Sequence, residues 1–528
     1  MSDLRLSVMV GVALAVGSIL AIIVIVMLGG SAYGLDLSRD ACVPDSITAT
    51  GENVVIGIVD TGIDLLHQDF RNTDGTTRIK WAYDESWVGT KPPGFTYGAE
   101  YSESQINSGA ASSLKDYDGF GTHALGVAAG NGRATGNGQP SGVYVGIAPD
   151  ADLLVCKTNW TQTGVIDGIK WCVMRAATLG KPCVILVRTN AVTNIAQVGP
   201  HDGSLQFERD VAAQTGVGKL IVTPAGDDGG LGIHKSVDLV SSLDSIRVTV
   251  HVAAYNPSTV TPEFFVADFW YPDWNRFRVA VESPSGWRSA WMDTADALTT
   301  TIAEGTVDIR NALSSSNDKP IRKLLASLNV YRNTTVSPHP AVGDWKFVIQ
   351  RLPSSPGGTG DVWRSRWFLD TTVEPTILQP TPGRSIETPG NANGVLTIGD
   401  YVTRTSFTNR NGGTTSVPET LGTVTSTTGL GTRGDGATKP EAIGPGWVVL
   451  SSLSVNAPTS NSYKALDGVH YMRLVTGYAH AAGVLALLLE QEPTLTPDFA
   501  RAHLVRLTGG IIPSTVNGWG KVVCGSVP

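Results

Sequence analysis

The sequence predicts an α/β protein built on a mostly parallel sheet, interrupted by an all-β segment and preceded by one apolar span. Continuous apolar runs at residues 53–59 and 183–187 have the pattern of strands that are buried on both faces. Residues 165–179 place apolar side chains along one face of a helix, which suits a crossover between parallel strands. Residues 246–252 instead alternate apolar and polar side chains, the pattern of a half-buried antiparallel strand.

The composition of the 528-residue chain limits the classes of protein that it can belong to. With 16% charged and 41% hydrophobic residues, the chain buries a core and is not disordered by composition. Its 60 glycines and 29 prolines favour a loop-rich α/β or all-β architecture. The formal net charge of −8 argues against nucleic-acid binding, which usually needs a basic surface. We therefore expect no nucleic-acid partner.

The stretch at residues 6–28 carries no charged side chain. As a helix it would measure about 34 Å, enough to cross a hydrocarbon core of about 30 Å. It is either a cleaved secretory signal or a retained signal anchor, and its length favours the anchor. Arg5 and the amino terminus outweigh Asp3, which predicts a cytoplasmic stub at residues 1–5 and an extracytoplasmic remainder, either periplasmic or extracellular. Residues 29–50 are then a linker, and their small residues leave cleavage open.

The five cysteines allow two interpretations. In an exported chain, Cys42 and Cys524 form a clamp, Cys172 and Cys183 form a possible second bridge, and Cys156 is left over. Alternatively, all five are small buried residues with free thiols. No spacing of cysteine and histidine indicates a zinc site.

Two candidate catalytic residues lie in short motifs of the first part of the chain. Asp60 directly follows the apolar run at residues 53–59, and open α/β sheets place their chemistry at the carboxyl ends of such strands. His123 lies within GTHALGVAAG at residues 121–130, where small residues allow the predicted helix to pack closely. A third block, GIAPDADLLVCK at residues 146–157, is a turn that leads into another buried strand.

These three blocks, in this order, resemble the Asp motif, the His motif and the following strand of the subtilisin family of serine peptidases. The resemblance implies a three-layer α/β/α sandwich, with Asp60 and His123 in triad positions. It covers about residues 50–235 and 385–510. We accordingly expect the subtilisin-like domain in two parts, residues 51–240 and 386–528, with residues 241–385 as an inserted, jelly-roll-like β-sandwich.

Three positions depart from the family pattern where the chemistry would occur. Aligning Gly483 and the apolar helix around it with the family's nucleophile block puts Val475 at the nucleophile position, and valine has no nucleophilic atom. Asp227 replaces the asparagine that donates to the oxyanion, and a carboxylate has no proton to donate at neutral pH. Arg188 replaces a serine on the substrate edge, which it would obstruct or recharge.

The sequence therefore predicts a pseudoprotease in which Asp60 and His123 are retained as a hydrogen-bonded structural pair. Such a chain would act as a binding or structural subunit with a protein partner of unknown identity, alone or within a larger membrane assembly. A second hypothesis is an active endopeptidase with Thr476 as an atypical nucleophile, although a shift of one residue rotates a helical side chain by about 100°. A third is a subunit of a surface filament.

Two ligand hypotheses complete the sequence-based predictions. Aromatic residues of the insertion form either a carbohydrate platform or the core of a sandwich, and we favour the core. These residues are Phe264, Phe265, Phe269, Trp270, Tyr271, Trp274 and Trp287. No cofactor is expected; the acidic loop at residues 64–69 is compatible with calcium but lacks a ligand spacing that requires it.

Overall fold

The computed structural model describes residues 49–188, 199–239, 245–257, 263–311, 323–334, 337–364 and 374–507. The predicted span at residues 6–28, and also Cys42 and Cys524, lie outside these residues. Within the ranges that are described, no helix combines the length and the apolar character needed to cross a membrane.

The first part of the chain supplies most of a central sheet. Its strands are β1 (Val55–Asp60), β2 (Ile79–Asp84), β3 (Ala99–Ser102), β4 (Asp152–Lys157), β5 (Cys183–Val187) and β6 (Lys219–Pro224). Its helices are α1 (Glu103–Asn107), α2 (Phe120–Ala129), α3 (Gln162–Leu179) and α4 (Gln206–Ala212). The predicted crossover helix is α3, which begins three residues earlier than expected because Thr161 caps it. Gly180 ends it with a φ of 66° that suits glycine.

The middle of the chain forms two antiparallel sheets. The strands are β7 (His234–Asp238), β8 (Ser245–Val252), β9 (Phe264–Pro272), β10 (Phe277–Glu282), β11 (Ala297–Ile302), β12 (Gly305–Asn311), β13 (Lys323–Tyr331), β14 (Gly343–Arg351), β15 (Thr359–Arg364) and β16 (Thr376–Ile377). One sheet has the order β10-β14-β8-β16, and the other has the order β11-β12-β13-β9-β15-β7. Strand β7 precedes the boundary that the sequence placed at residue 241.

The two antiparallel sheets share an apolar core that absorbs most of the candidate aromatic residues. Phe265, Phe269 and Tyr271 are fully buried in it and Trp287 packs against it, whereas Trp270, which is 8% exposed, belongs to a separate apolar cluster with Trp363. Trp274 is 59% exposed. The aromatic side chains therefore mostly fill the core between the sheets.

The last part of the chain returns to the central sheet and adds two helices. Its elements are β17 (Val395–Val402), β18 (Ser406–Thr408), β19 (Thr414–Ser416), β20 (Ala442–Trp447), β21 (Val449–Ser452), β22 (His470–Arg473), α5 (Gly477–Gln491) and α6 (Pro497–Leu507). Helix α6 begins at Pro497, which suits the first position of a helix because proline has no backbone N–H to leave unpaired there. Strands β21 and β22 pair as a separate two-stranded ribbon, hereafter the ribbon.

The central sheet has eight strands in the order β20-β17-β6-β5-β1-β4-β2-β3. All neighbouring pairs are parallel except β2 with the edge strand β3. One face packs against α2 and α5, and the other packs against α3 and α4. Alternate residues of each buried strand supply the two cores, as the apolar runs require. The predicted three-layer α/β architecture with a mostly parallel sheet is confirmed.

The cysteines that the structure describes are free thiols. Cys156, Cys172 and Cys183 are buried between the sheet and α3. The possible bridge between Cys172 and Cys183 is therefore wrong. Burial raises the pKa of all three thiols, so they are neutral apolar packing groups at physiological pH.

Candidate functional site

Three of the candidate residues follow neighbouring strands at the carboxyl edge of the sheet. Asp60 ends β1, Arg188 follows β5 and Asp227 follows β6. Because β6, β5 and β1 are adjacent and parallel, the fold gathers these side chains at one edge. The spacing in sequence alone did not indicate that Arg188 and Asp60 interact.

Asp60 is buried, with 1% of its surface exposed. Its Oδ1 accepts a hydrogen bond of 2.7 Å from the backbone N–H of Thr61, while its Oδ2 has no hydrogen-bond partner within the described part of the chain. Burial raises the pKa of Asp60 to about 6, and the positive charge of Arg188 opposes that rise.

His123 lies in the first turn of α2 and is also 1% exposed. Its Nε2 lies 3.0 Å from the backbone oxygen of Val449 and donates to it, whereas its Nδ1 has no partner among the residues described. The predicted hydrogen bond between His123 and Asp60 is therefore wrong: Nδ1 and Oδ2, the two atoms that would form it, have no partner in the part of the chain that the structure describes. Burial, reinforced by Arg473, lowers the pKa of His123 to about 3, so its imidazole is neutral.

The ribbon covers His123. Val449 of β21 holds the imidazole through its carbonyl, and the ring of Tyr471 in β22 packs edge-on against it at 5.3 Å between centroids. Ser451 donates from Oγ to the backbone oxygen of His123 at 3.1 Å. Tyr471 is fixed in turn, because its hydroxyl donates to the carbonyl of Gly119 at 2.8 Å. Tyr471 also lines a cavity, described next, and covers the imidazole on the side that faces this cavity.

A cavity of about 770 Å³ lies beside this covered pair. Arg188, Asp227 and Val475 all line it, but Asp60 and His123 do not. Val475 directly precedes Thr476, the N-cap of α5, and has a φ of 61°, which is unfavourable for a β-branched residue. The structure therefore brings three of the predicted site residues to one surface, whereas Asp60 and His123 are buried outside the cavity lining and His123 lies beneath the ribbon.

One wall of the cavity is cationic. The guanidinium groups of Arg188 and Arg473 both stack on the ring of Phe120, at 3.6 and 3.3 Å from its centroid. Arg473 also donates from Nε to the hydroxyl of Tyr471 at 2.6 Å and from its terminal nitrogen to the backbone oxygen of Asp118. Planar guanidinium groups held in this way are suited to carboxylates and phosphates.

The cavity is acidic at Asp227, opposite in charge to the wall formed by Arg188 and Arg473. Its backbone N–H donates to Oε1 of Glu387 at 3.0 Å, and oxygens of Asp227, Asp228 and Glu387 lie within 4.8 Å of one another. Burial, together with the two neighbouring carboxylates, raises the pKa of Glu387 well above its usual range. Gly226 permits this packing, because a Cβ there would lie 2.3 Å from Glu387 and its φ is 92°. A negative group at Asp227 does not stabilise an oxyanion.

Thr476, the alternative nucleophile, is enclosed. It is 3% exposed, and its hydroxyl oxygen has no hydrogen-bond partner among the described residues. The next residue, Gly477, donates its backbone N–H to Oδ1 of Asp400 at 2.8 Å. A buried carboxyl group therefore occupies the start of α5, where a substrate oxyanion would need free donors.

The acidic loop at residues 64–69, whose sequence is compatible with calcium, turns its carboxylates inward. Asp64 accepts the backbone N–H groups of Leu66 and Val455, each at 3.0 Å. Asp69 accepts the backbone N–H of Ala134 at 2.8 Å and the hydroxyl of Ser452 at 2.7 Å. The loop therefore does not present the set of six to eight converging oxygens that a calcium ion takes.

The sequence did not identify Phe120, Tyr471 or Glu387 as site residues. Phe120 precedes His123 by three positions, and Tyr471 lies within the block used to align Val475. Their closeness in sequence to candidate residues could therefore have indicated that both lie at the site. Nothing in the sequence indicated Glu387, because the two antiparallel sheets separate it from Asp227 along the chain.

Comparisons with known proteins agree with this fold. Residues 51–296 match the Peptidase_S8 family model, described as the subtilase family. The chain is 34% identical over 133 residues to the subtilisin-like protease SBT2.2 of Arabidopsis thaliana, which covers 22% of this chain and 15% of that protein. It is 32% identical over 227 residues to a subtilisin of Bacillus sp. (strain TA39), covering 42% of this chain and 45% of that protein. The matches thus span less than half the length of either relative.

A solved structure of the Clostridium perfringens CspB protease has the same fold. The two superpose with a TM-score of 0.70 at 19% sequence identity, covering 91% of this chain and 93% of that one. The family model, the sequence relatives and the shared fold all agree with the motifs at Asp60 and His123. Over residues 51–296, which include both motifs, the chain matches the subtilase family.

Proposed function

We propose that this chain is a membrane-anchored, extracytoplasmic subtilisin-like pseudoprotease that binds a protein partner without cleaving it. The observation that carries the proposal is the hydrogen bond between Nε2 of His123 and the carbonyl of Val449. That nitrogen would have to take the proton of a nucleophile, and here it donates its own proton to the backbone.

Three further features support a domain without hydrolytic activity. Val475 offers an alkyl group at the position aligned with the nucleophile. Asp60 makes no hydrogen bond to His123 and so does not orient the imidazole. Asp227 brings negative charge to the position aligned with the oxyanion donor. The groups of a triad act as a unit, so loss of the nucleophile alone removes the mechanism.

The cavity supports a role in binding. It is lined by aromatic and cationic side chains, including Phe120, Arg188 and Arg473, and its volume is in the range of ligand sites. We propose that the arginine wall receives an acidic segment of the partner. The antiparallel sheets, as the proposed jelly-roll-like insertion, give the partner a second surface, on which Trp274 is exposed.

An activity assay tests the absence of hydrolysis. The full chain in mild detergent is incubated with a fluorophosphonate serine probe and with an unfolded protein substrate, alongside a bacterial subtilisin as a positive control. We expect no labelling and no cleavage above background. Hydrolysis that persists after purification and is lost in Thr476→Ala would overturn the proposal in favour of the endopeptidase.

The anchor needs a separate experiment, because it depends on residues 6–28 alone. We expect the parent chain to remain in the membrane fraction after carbonate washing, and a chain without residues 6–28 to be released. Recovery of a parent chain that has lost these residues by cleavage would show a secretory signal instead. Mass determination in detergent then separates a tethered monomer from a subunit of a larger membrane assembly or filament.

A further inference from the structure

A second cluster of chemically active side chains lies away from the cavity. His67 and Asp69 come from the turn after β1, and His470 comes from the first position of β22. They are 6%, 1% and 0% exposed. One nitrogen or oxygen from each lies within 4.8 Å of the other two. None of the three lines the cavity described above.

The two imidazoles are held by their outer nitrogens. Nε2 of His67 donates to the carbonyl of Val469 at 3.0 Å, which leaves the lone pair of the ring on Nδ1. That Nδ1 lies at the cluster and accepts the backbone N–H of Asp69 in a long hydrogen bond of 3.4 Å. Nδ1 of His470 lies 2.6 Å from a carboxylate oxygen of Asp467, which leaves Nε2 for the cluster. Histidines that bind metals are oriented in this way, by a carbonyl or a carboxylate on the other nitrogen.

The spacing of the inner atoms fits a small cation. Oδ2 of Asp69 lies 3.6 Å from Nδ1 of His67 and 2.9 Å from Nε2 of His470. Ligands at about 2.05 Å from a tetrahedral zinc ion are about 3.3 Å apart, between these two values. Two imidazoles and one carboxylate suit a first-row divalent cation, whereas calcium takes oxygen ligands only.

We propose that His67, Asp69 and His470 form a binding site for a divalent transition-metal cation, with zinc as its representative. The cation replaces the proton between His470 and Asp69 and leaves a fourth position for water or for Ser452, whose hydroxyl already lies 2.7 Å from Oδ2 of Asp69. The site is structural: it fastens the ribbon to the turn after β1. The ribbon covers His123, so the cation stabilises the covered arrangement. This inference does not depend on the absence of hydrolysis.

The site is tested on the full chain in detergent, purified through a tag without histidine and stripped with a chelator. Zinc is titrated in competition with a chromophoric zinc indicator. We expect one zinc per parent chain and an affinity at least 100-fold lower in His67→Gln and in His470→Gln. His251→Gln is the matched control, since the side chain of His251 is 40% exposed and pairs with Asp344 in the antiparallel sheets. Asp467→Asn, which changes only the orienting carboxylate, is expected to weaken binding by 10- to 100-fold.

Cobalt supplies a measurement on the parent chain alone if a variant fails to fold. Visible absorption bands of tetrahedral cobalt, with one equivalent bound and displaced by zinc, support the site. A parent chain that binds zinc no more tightly than His67→Gln, or that gives no such bands with cobalt, would overturn it. In that case the cluster is an ion pair between His470 and its two carboxylates.

Discussion

The carboxyl group of Asp400 is joined to the backbone of Gly477 by a hydrogen bond of 2.8 Å at the first turn of α5. This places a buried acid from β17 beneath the segment that begins with Val475. The donor favours the ionised form, but burial is the larger effect and raises the pKa of Asp400 to about 7. The second oxygen has no hydrogen-bond partner in the described ranges.

The first prediction is that Asp400→Asn makes the protein more stable at high pH. Because the folded pKa of about 7 exceeds the value of 3.8 for an ordinary aspartate, the stabilising contribution of Asp400 is present below pH 4 and is lost as the pH rises towards 7. Asparagine does not titrate and keeps the acceptor for Gly477. We expect a gain on the order of 4 kcal/mol at pH 8 relative to pH 4, measured by urea unfolding. A gain that is equal at both values would contradict the raised pKa.

The second prediction is that Val475→Ser does not create a peptidase. The new hydroxyl would line the cavity together with the acidic group at Asp227, whereas the imidazole of His123 would stay beneath the ribbon with its Nε2 bound to Val449. We expect no fluorophosphonate labelling above that of the parent chain. Labelling of the serine variant, abolished by a further His123→Ala change, would show that the ribbon opens.

The third prediction concerns the backbone at Val475. Its φ of 61° costs an L-residue about 1–2 kcal/mol, and glycine adopts this conformation freely. We expect Val475→Gly to raise the free energy of unfolding by about 1 kcal/mol after the entropy of the unfolded chain is subtracted. The control is Val455→Gly at an 81% exposed residue without a positive φ, which is expected to lower stability. Destabilisation of both variants would mean that the valine side chain contributes more than its strain costs.

The fourth prediction tests the arginine wall. An extended, glutamate-rich fluorescent peptide is expected to bind the parent chain, and Arg473→Gln is expected to bind it several-fold more weakly. Added salt should reduce the difference, because it screens charges in an open cavity. The matched control is Arg247→Gln, in an exposed ion pair with Glu282 on the antiparallel sheets. Equal weakening by both variants would mean that only the overall charge matters.

The fifth prediction is that the cysteines of the core are unreactive until the protein unfolds. In a chain with Cys42→Ser and Cys524→Ser, the remaining thiols are Cys156, Cys172 and Cys183. Burial keeps them protonated and inaccessible, so we expect no reaction with a thiol reagent in buffer and three equivalents in urea. Rapid reaction of one thiol in buffer would contradict their packing between α3 and the sheet.

The sequence predicted the helices and strands of the α/β layers more accurately than it predicted the contacts between side chains at the site. The apolar runs that became β1 and β5 and the amphipathic helix α3 follow local patterns, so their existence was readable from the chain. The sequence could not predict that Asp60 and His123 form no hydrogen bond, because His123 instead bonds to Val449, which is 326 positions away in the chain. Long-range contacts of this kind also decided the roles of Tyr471 and Glu387.

Strands β6 and β17 are neighbours in the central sheet, with Ile221 paired to Val395, although both antiparallel sheets lie between them in the chain. During synthesis from the amino end, β6 is therefore made long before the strand that covers its open edge. At about 5–20 residues per second, the ribosome needs roughly ten seconds or more to reach Val395. For that interval the growing chain presents an unpaired apolar edge, which is a site for aggregation. The edge of β6 stays unpaired until β17 has been made and has reached it, even if the antiparallel sheets fold early. A chaperone that covers this edge during synthesis is therefore expected to raise the yield of folded protein.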